Sequence, residues 1–334
     1  MTEALTIEAR TGATRREAFY AALLTATWLP LLVLPALWLA EFPFDGSLLL
    51  GLAVFAGGVG HVASTASVYI DRDVREVMRP MPLRFYGVPA LALLLTGAAL
   101  AFGASAPLSD DAVAAMFLVH LLWLHYHYQK QNYGLVAFAA ASSSARVPFQ
   151  LAWALLLPAL AGCLAVMPAL LDGAFAEVSF WRPLADVMAI LSVGAYLAGA
   201  AAVAYLVLRH RAVFLQPRVA IFTAGALCFF LPAMLVEDEI YAFWSYALAH
   251  GFQYLLMVFL LARGPQRLWL HGIVFVASVA VGGLLLHRLA GNNALFVAGI
   301  LLTWVHFVLD ARLWRMSDAG PRKLIRERFA FLFR

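Results

Sequence analysis

Imidazole is the commonest metal-binding side chain and the one that changes charge nearest neutral pH; this chain holds nine histidines. Six of them, His61, His120, His125, His127, His250 and His306, stand inside long apolar stretches, where a polar group is costly and marks function. His210, His271 and His287 fall at the ends of such stretches, where an interface solvates them, and they read as structural. In WVHFVLDARLW, His306 and Asp310 share one helical face. A carboxylate one turn from an imidazole suits two ligands of one metal, or a ligand and the group that orients it. In HLLWLHYHYQKQNYG, His120 and His127 share a face that Gln131 continues, but roughly 10 Å of helix separates them, too far to share one ion without distortion. His125 points about 140° away from His120 on ideal geometry. Either it lies outside the site or the helix unwinds, and the polar run starting at Gln129 offers a place for a break. Around His61, the glycines, alanine and serine of GGVGHVASTAS permit close helix approach. Asp71 and Asp73, with Arg72, Arg75, Arg79 and Arg84 nearby, read as a solvated ion-pair network instead of ligands. Gln253 and Tyr254 follow His250 one turn on.

The elements that carry these residues follow from composition. Hydrophobic residues make up 64%, charged residues 13%, and mean hydropathy is +0.85 over 334 residues, whereas soluble domains are nearer half apolar and a quarter charged. A polytopic membrane protein is expected, all-α because only helices satisfy their backbone groups in lipid without closing a barrel, and no strand alternation is present. At roughly 20 apolar residues per span, about ten spans emerge, at 19–40, 46–70, 85–104, 112–129, 148–171, 184–208, 218–236, 240–262, 268–288 and 294–313. The short connections make one transmembrane helical bundle, residues 1–334, with an N-terminal tail over 1–18 and a basic amphipathic tail over 314–334. The polar start does not have the form of a cleavable signal peptide. RKLIRERFAFLFR reads as an interfacial helix on anionic lipid. Nearly all positive charge falls in alternate connections; Arg182 and Arg288 are the exceptions. The positive-inside rule then places both termini in the cytoplasm, of a multi-pass protein of the cell inner (plasma) membrane. Counting back from the cytoplasmic ends at 1.5 Å per residue, the six histidines lie within roughly 3–18 Å of that boundary.

Several classes drop out. No charged stretch is long enough for a soluble catalytic domain, and the basic residues are explained by orientation instead of nucleic acid. Two cysteines, Cys163 and Cys228, both in apolar runs, exclude disulfide scaffolds, iron–sulfur clusters and thiolate zinc sites. Imidazole with carboxylate and no thiolate favours iron, zinc or copper over calcium and magnesium. The metal-ligand candidates are therefore His61, His120, His125, His127, His250, His306 and Asp310, with Gln131 and Gln253 near them.

Four functions fit to different degrees. The first is a metal-dependent oxygenase or hydroxylase with a mono- or dinuclear non-haem iron site, taking an apolar lipid-like substrate from the bilayer and reducing equivalents from an electron donor. The second is a zinc-dependent intramembrane hydrolase, with Asp310 as orienter or base. The third is a haem-binding membrane cytochrome, using pairs such as His61/His120 or His250/His306. The fourth is a proton-coupled transporter, for which the remaining helices supply few buried polar groups. The size, the span density, the histidines scattered over several spans and the His306-x-x-x-Asp310 pair together resemble histidine-rich integral-membrane non-haem iron oxygenases, nearest the bacterial carotene-cleaving membrane dioxygenases. That resemblance implies iron, dioxygen and an apolar substrate.

Overall fold

The computed structural model describes residues 2–44, 47–102, 109–141, 145–174, 182–261, 269–270, 272–274, 276–277 and 293–333, which are helical or connecting, with no strand among them. The expected span 268–288 lies largely outside the described residues, and Asp45, Arg263, Arg267, His271, His287, Arg288 and Arg334 lie wholly outside them. The principal helices are α1 (Thr2–Leu39), α2 (Leu48–Tyr69), α3 (Arg72–Met78), α4 (Val88–Phe102), α5 (Asp110–Ala141), α6 (Leu156–Ala174), α7 (Ala185–Arg209), α8 (Pro217–Cys228), α9 (Glu239–Leu261), α10 (Asn293–Leu313) and α11 (Ala319–Arg328).

Among the described residues, five helices are long and apolar enough to cross a membrane: Thr14–Leu39, Leu48–Tyr69, Gln150–Asp172, Arg182–Arg209 and Glu239–Leu261. These match the expected spans at 19–40, 46–70, 148–171, 184–208 and 240–262 to within a few residues. A sixth crossing is available if Arg72–Met78 and Leu83–Ala98, bent by 114° at their junction, act as one. Pro82, just before that second helix, has no N–H to extend the first. Helix α1 begins at Thr2 and runs through the polar N-terminal stretch.

The chain divides into two compact units. The first comprises Met1–Leu23, Leu48–Val113 and Gly251–Arg334; the second comprises Leu24–Ser47 and Ala114–His250. In the first unit α4 packs along α10, and Val68, Val74, Met78 and Phe85 are fully buried. The α2 backbone changes gauge along its length: an α-helical start, a π-helical turn over Ala56–Gly60, one α-turn over His61–Ser64 and a 3-10 end over Thr65–Tyr69. Asp71 then caps α3, accepting from the backbone N–H of Asp73 at 2.9 Å and of Val74 at 3.3 Å.

Asp71 and Asp73 differ from the solvated network that their neighbours suggest. Their partner is Arg328, at the far end of the chain: one guanidinium nitrogen reaches both Asp71 oxygens at 3.0 Å and Asp73 at 2.5 Å, and another donates to the Leu261 carbonyl at 3.0 Å. The Arg328 and Asp71 side chains are 1% and 3% exposed. A charge this deep is stable only when paired and hydrogen-bonded, and Arg328 uses its planar fork for that purpose. The apolar face of α11 accordingly turns into the first unit: Pro321, Leu324, Ile325 and Phe329 are buried, and Phe329 and Phe331 meet the Phe19 ring edge-on. Ahead of α11, Arg312 donates to Asp318 at 2.8 Å, and that bond holds the Asp318 carboxyl below its usual value.

In the second unit α6 packs along α7, and Gly199 is the point of closest approach, because a Cβ there would collide with Pro158. Gly162 is equally constrained by Phe230. The break considered after Gln129 does not occur; α5 continues unbroken for 32 residues, about 48 Å. Side chains explain why. Gln129 donates to the Ala226 carbonyl at 3.0 Å, Asn132 to Gln129 at 3.2 Å and Gln131 to the His250 carbonyl at 3.1 Å. Polar groups satisfied in this way need not take the helix's own backbone bonds.

Candidate functional site

In the first unit a buried polar cluster is built from three helices: His61 and Thr65 on α2, Tyr254 on α9, and His306 and Asp310 on α10. The π-turn sets the position of His61. A π-turn carries its backbone bonds one residue further than an α-turn, and the Gly57 carbonyl takes a short hydrogen bond from Nδ1 of the His61 ring. A carbonyl only accepts, so Nδ1 is the protonated nitrogen and Nε2 carries the lone pair. Gly251 on α9 lies against the same Gly57 carbonyl, close enough that a Cβ would overlap it.

On α10, Nδ1 of His306 lies 2.8 Å from the Thr65 hydroxyl, which in turn lies 3.1 Å from the Tyr254 hydroxyl. The Tyr254 hydroxyl and the Trp314 indole approach the Asp310 carboxylate. One direction of donation serves the whole chain: His306 Nδ1–H to Thr65, Thr65 O–H to Tyr254, Tyr254 O–H to Asp310. It leaves Nε2 of His306 as a lone-pair nitrogen, 3.6 Å from Oδ2 of Asp310. His61 and His306 also offer ring nitrogens within 4.8 Å of one another, with ring centroids 5.1 Å apart and nearly perpendicular. The His306 ring thus stands near both the His61 imidazole and the Asp310 carboxylate in a buried interior. Nε2 of His306 and Oδ2 of Asp310 are near enough that both could ligate one metal ion. Imidazole and carboxylate donors of this kind could hold a metal ion.

The second unit holds the other histidines. His127 and His250 approach edge to face with centroids 4.9 Å apart, and His250 stacks on Tyr128 at 4.0 Å. His125 is turned to different partners: Nδ1 donates to the Leu121 carbonyl at 2.8 Å, and Nε2 lies 3.2 Å from the Tyr246 hydroxyl. With Nδ1–H so committed, Nε2 accepts from the tyrosine, so both ring nitrogens are occupied. His120 is buried and has the Phe117 ring beside it at 6.2 Å. Of the two options for His125, the unbroken helix leaves the one in which it faces away from His120.

Within the units, then, His306 lies near both His61 and Asp310 in the first, and His127 and His250 come together in the second. Thr65 and Tyr254 complete the first cluster, and Tyr128 and Tyr246 the second; none is singled out by the sequence as a site residue. Tyr254 is marked only by its place one turn after His250, and Thr65 only by its place among small polar residues. Gln253 is fully buried. Comparison of the chain with protein-family models, with curated proteins and with solved structures gives no match.

Proposed function

We propose that this protein is an integral-membrane, metal-dependent oxygenase or hydroxylase that acts on an apolar, lipid-like substrate at a non-haem iron site. The observation that supports the reading is that His306 lies close both to His61 and to Asp310, with the Nδ1 of each imidazole engaged so that Nε2 is left to act as the ligand atom. Two histidines and one carboxylate, with positions left open, form the donor set of non-haem iron(II) oxygenases. When bound, the iron supplies dioxygen binding and one-electron chemistry. The chain's own residues hold and tune it. Gly57 and Thr65 fix the two imidazole tautomers, Tyr254 orients the Asp310 carboxylate, and the surrounding apolar helices exclude water.

A zinc-dependent hydrolase is the second reading, because the same three ligands and a water satisfy catalytic zinc. A haem-binding cytochrome is a further reading, but it leaves the His306/Asp310 pair without a role. In our reading the protein spans a cell's inner membrane about ten times with both termini cytoplasmic, and the His61/His306/Asp310 site lies in the cytoplasmic half, near soluble reductant.

Metal analysis of detergent-purified protein by mass spectrometry, with an absorption spectrum of the same sample, tests this. One or two irons per chain without a Soret band, lost in His61→Ala and His306→Ala variants that still fold, is the expected result. Zinc alone would move the assignment to a hydrolase and a Soret band to a cytochrome. A folded, metal-free protein would overturn both metal readings and favour a proton-coupled carrier.

A further inference from the structure

We propose that α3 and α11 together form a binding surface for anionic phospholipid headgroups. The sequence alone makes the C-terminal segment an amphipathic helix lying in lipid, but the structure uses its apolar face otherwise. Pro321, Leu324, Ile325 and Phe329 are buried within the first unit, and Arg328 is locked onto Asp71 and Asp73. This helix therefore has little greasy face left to insert. Its outward face carries Arg322, Lys323 and Arg326, all exposed.

The same ion pairs join α11 to α3, and Gly320 sits against Val77 at a distance that leaves the two helices in contact. From α3, Arg72, Arg75 and Arg79 are also exposed. The exposed acids on these two helices are Glu76, 3.4 Å from Arg72, and Glu327. Six outward cations against two acids, on helices held by a buried salt bridge, make a preorganised patch and not a floppy basic tail. The chain has at least five helices suited to a bilayer, so lipid phosphate is the anion present at highest local concentration. Each cation near an anionic membrane surface strengthens binding about fivefold, and the contribution is screened by salt.

The test uses full-length protein in an uncharged detergent, titrated with short-chain phosphatidylglycerol or phosphatidylcholine while thermal unfolding is followed. Phosphatidylglycerol should raise the midpoint where phosphatidylcholine does not, and 0.5 M salt should abolish the difference. In R322Q/K323Q/R326Q the apparent phosphatidylglycerol affinity should fall at least tenfold, while R209Q/R211Q, which removes exposed charge from the second unit, should keep it. If the triple variant does not fold, R75Q/R79Q takes its place with the same expected loss. Equal response to both lipids, or full response in the charge-neutralised variants, would overturn the proposal. Inorganic phosphate or an acidic peptide matching the effect of phosphatidylglycerol would overturn it too, by assigning the patch to a soluble anion.

Discussion

At the residue scale, the contact between Thr65 and His306 does most to decide whether the imidazole can serve as a ligand. Nδ1 of His306 lies 2.8 Å from the Thr65 hydroxyl, and a metal-bound histidine depends on such a partner for its tautomer and orientation. Replacing Thr65 by valine keeps the shape and removes the acceptor; losses of 10–100-fold in metal affinity follow from changes of this kind. Competition titration of Thr65→Val with a chelating dye should show that weakening, and Thr65→Ser should restore most of it. Equal affinity in Thr65→Val and the parent would remove Thr65 from the site. Asp310→Asn probes the charge alone, since it keeps size and donor position but loses the anion that neutralises the cation. Its purified form should carry less than a tenth of the parent's metal. The sequence reveals part of this site and hides the rest for a definite reason. His306 and Asp310 are four residues apart, so helical geometry alone pairs them. Thr65 lies 241 residues from His306 and 189 from Tyr254, and no local pattern brings them together.

At the element scale, the π-turn of α2 and the approach of α9 to it are one feature. The Gly57 carbonyl faces the His61 ring and Gly251 at once, so Gly251→Ala must displace the carbonyl that orients His61. Overpacking of a rigid interior costs about 1–3 kcal/mol, and here the carbonyl is backbone, which cannot swing aside as a long side chain does. Gly251→Ala should lower the unfolding midpoint and reduce bound metal together, whereas Gly272→Ala, which has open space around its Cβ position, should change neither. The glycine run before His61 signals close helix approach from sequence; the π-turn itself does not, because its register shift has no compositional mark. Arg328 teaches the same lesson at longer range. Four arginines beside Asp71 in sequence suggest local pairing, yet the buried partner is 257 residues away. Breaking one side of a buried ion pair costs about 3–5 kcal/mol. Arg328→Ala should therefore destabilise strongly, and Asp71→Leu/Arg328→Met should recover much of the loss, because no lone charge is left in the core. If the double replacement is as unstable as Arg328→Ala, the salt bridge itself and not the stranded carboxylate sustains the fold.

For the molecule as a whole, hydropathy reads the membrane character well because length and apolarity are local properties of a single helix. The five helices long and apolar enough to cross a membrane begin and end near the expected spans. What hydropathy reads less well is a helix loaded with polar chemistry, such as α5, or one bent sharply, such as the pair on either side of 79–82. Topology is decided at those places. An odd number of crossings would put the termini on opposite sides, so both termini being cytoplasmic requires that the segments at 85–104, 112–129, 218–236, 268–288 and 294–313 together cross an odd number of times. The distribution of Arg and Lys argues that each crosses once. Single-cysteine variants in a background lacking Cys163 and Cys228, labelled from outside intact cells with a membrane-impermeant maleimide, read this directly. Cysteines placed in 105–109, 175–181, 237–238 and 289–292 should label. Cysteines in 79–82, 142–147, 210–216 and 315–318 should label only after the membrane is opened. Labelling of 79–82 from outside would mean that the bent pair does not return the chain as read from its charges. It would also move the Tyr69 end of α2, with α11, from the cytoplasmic face proposed above to the outer one.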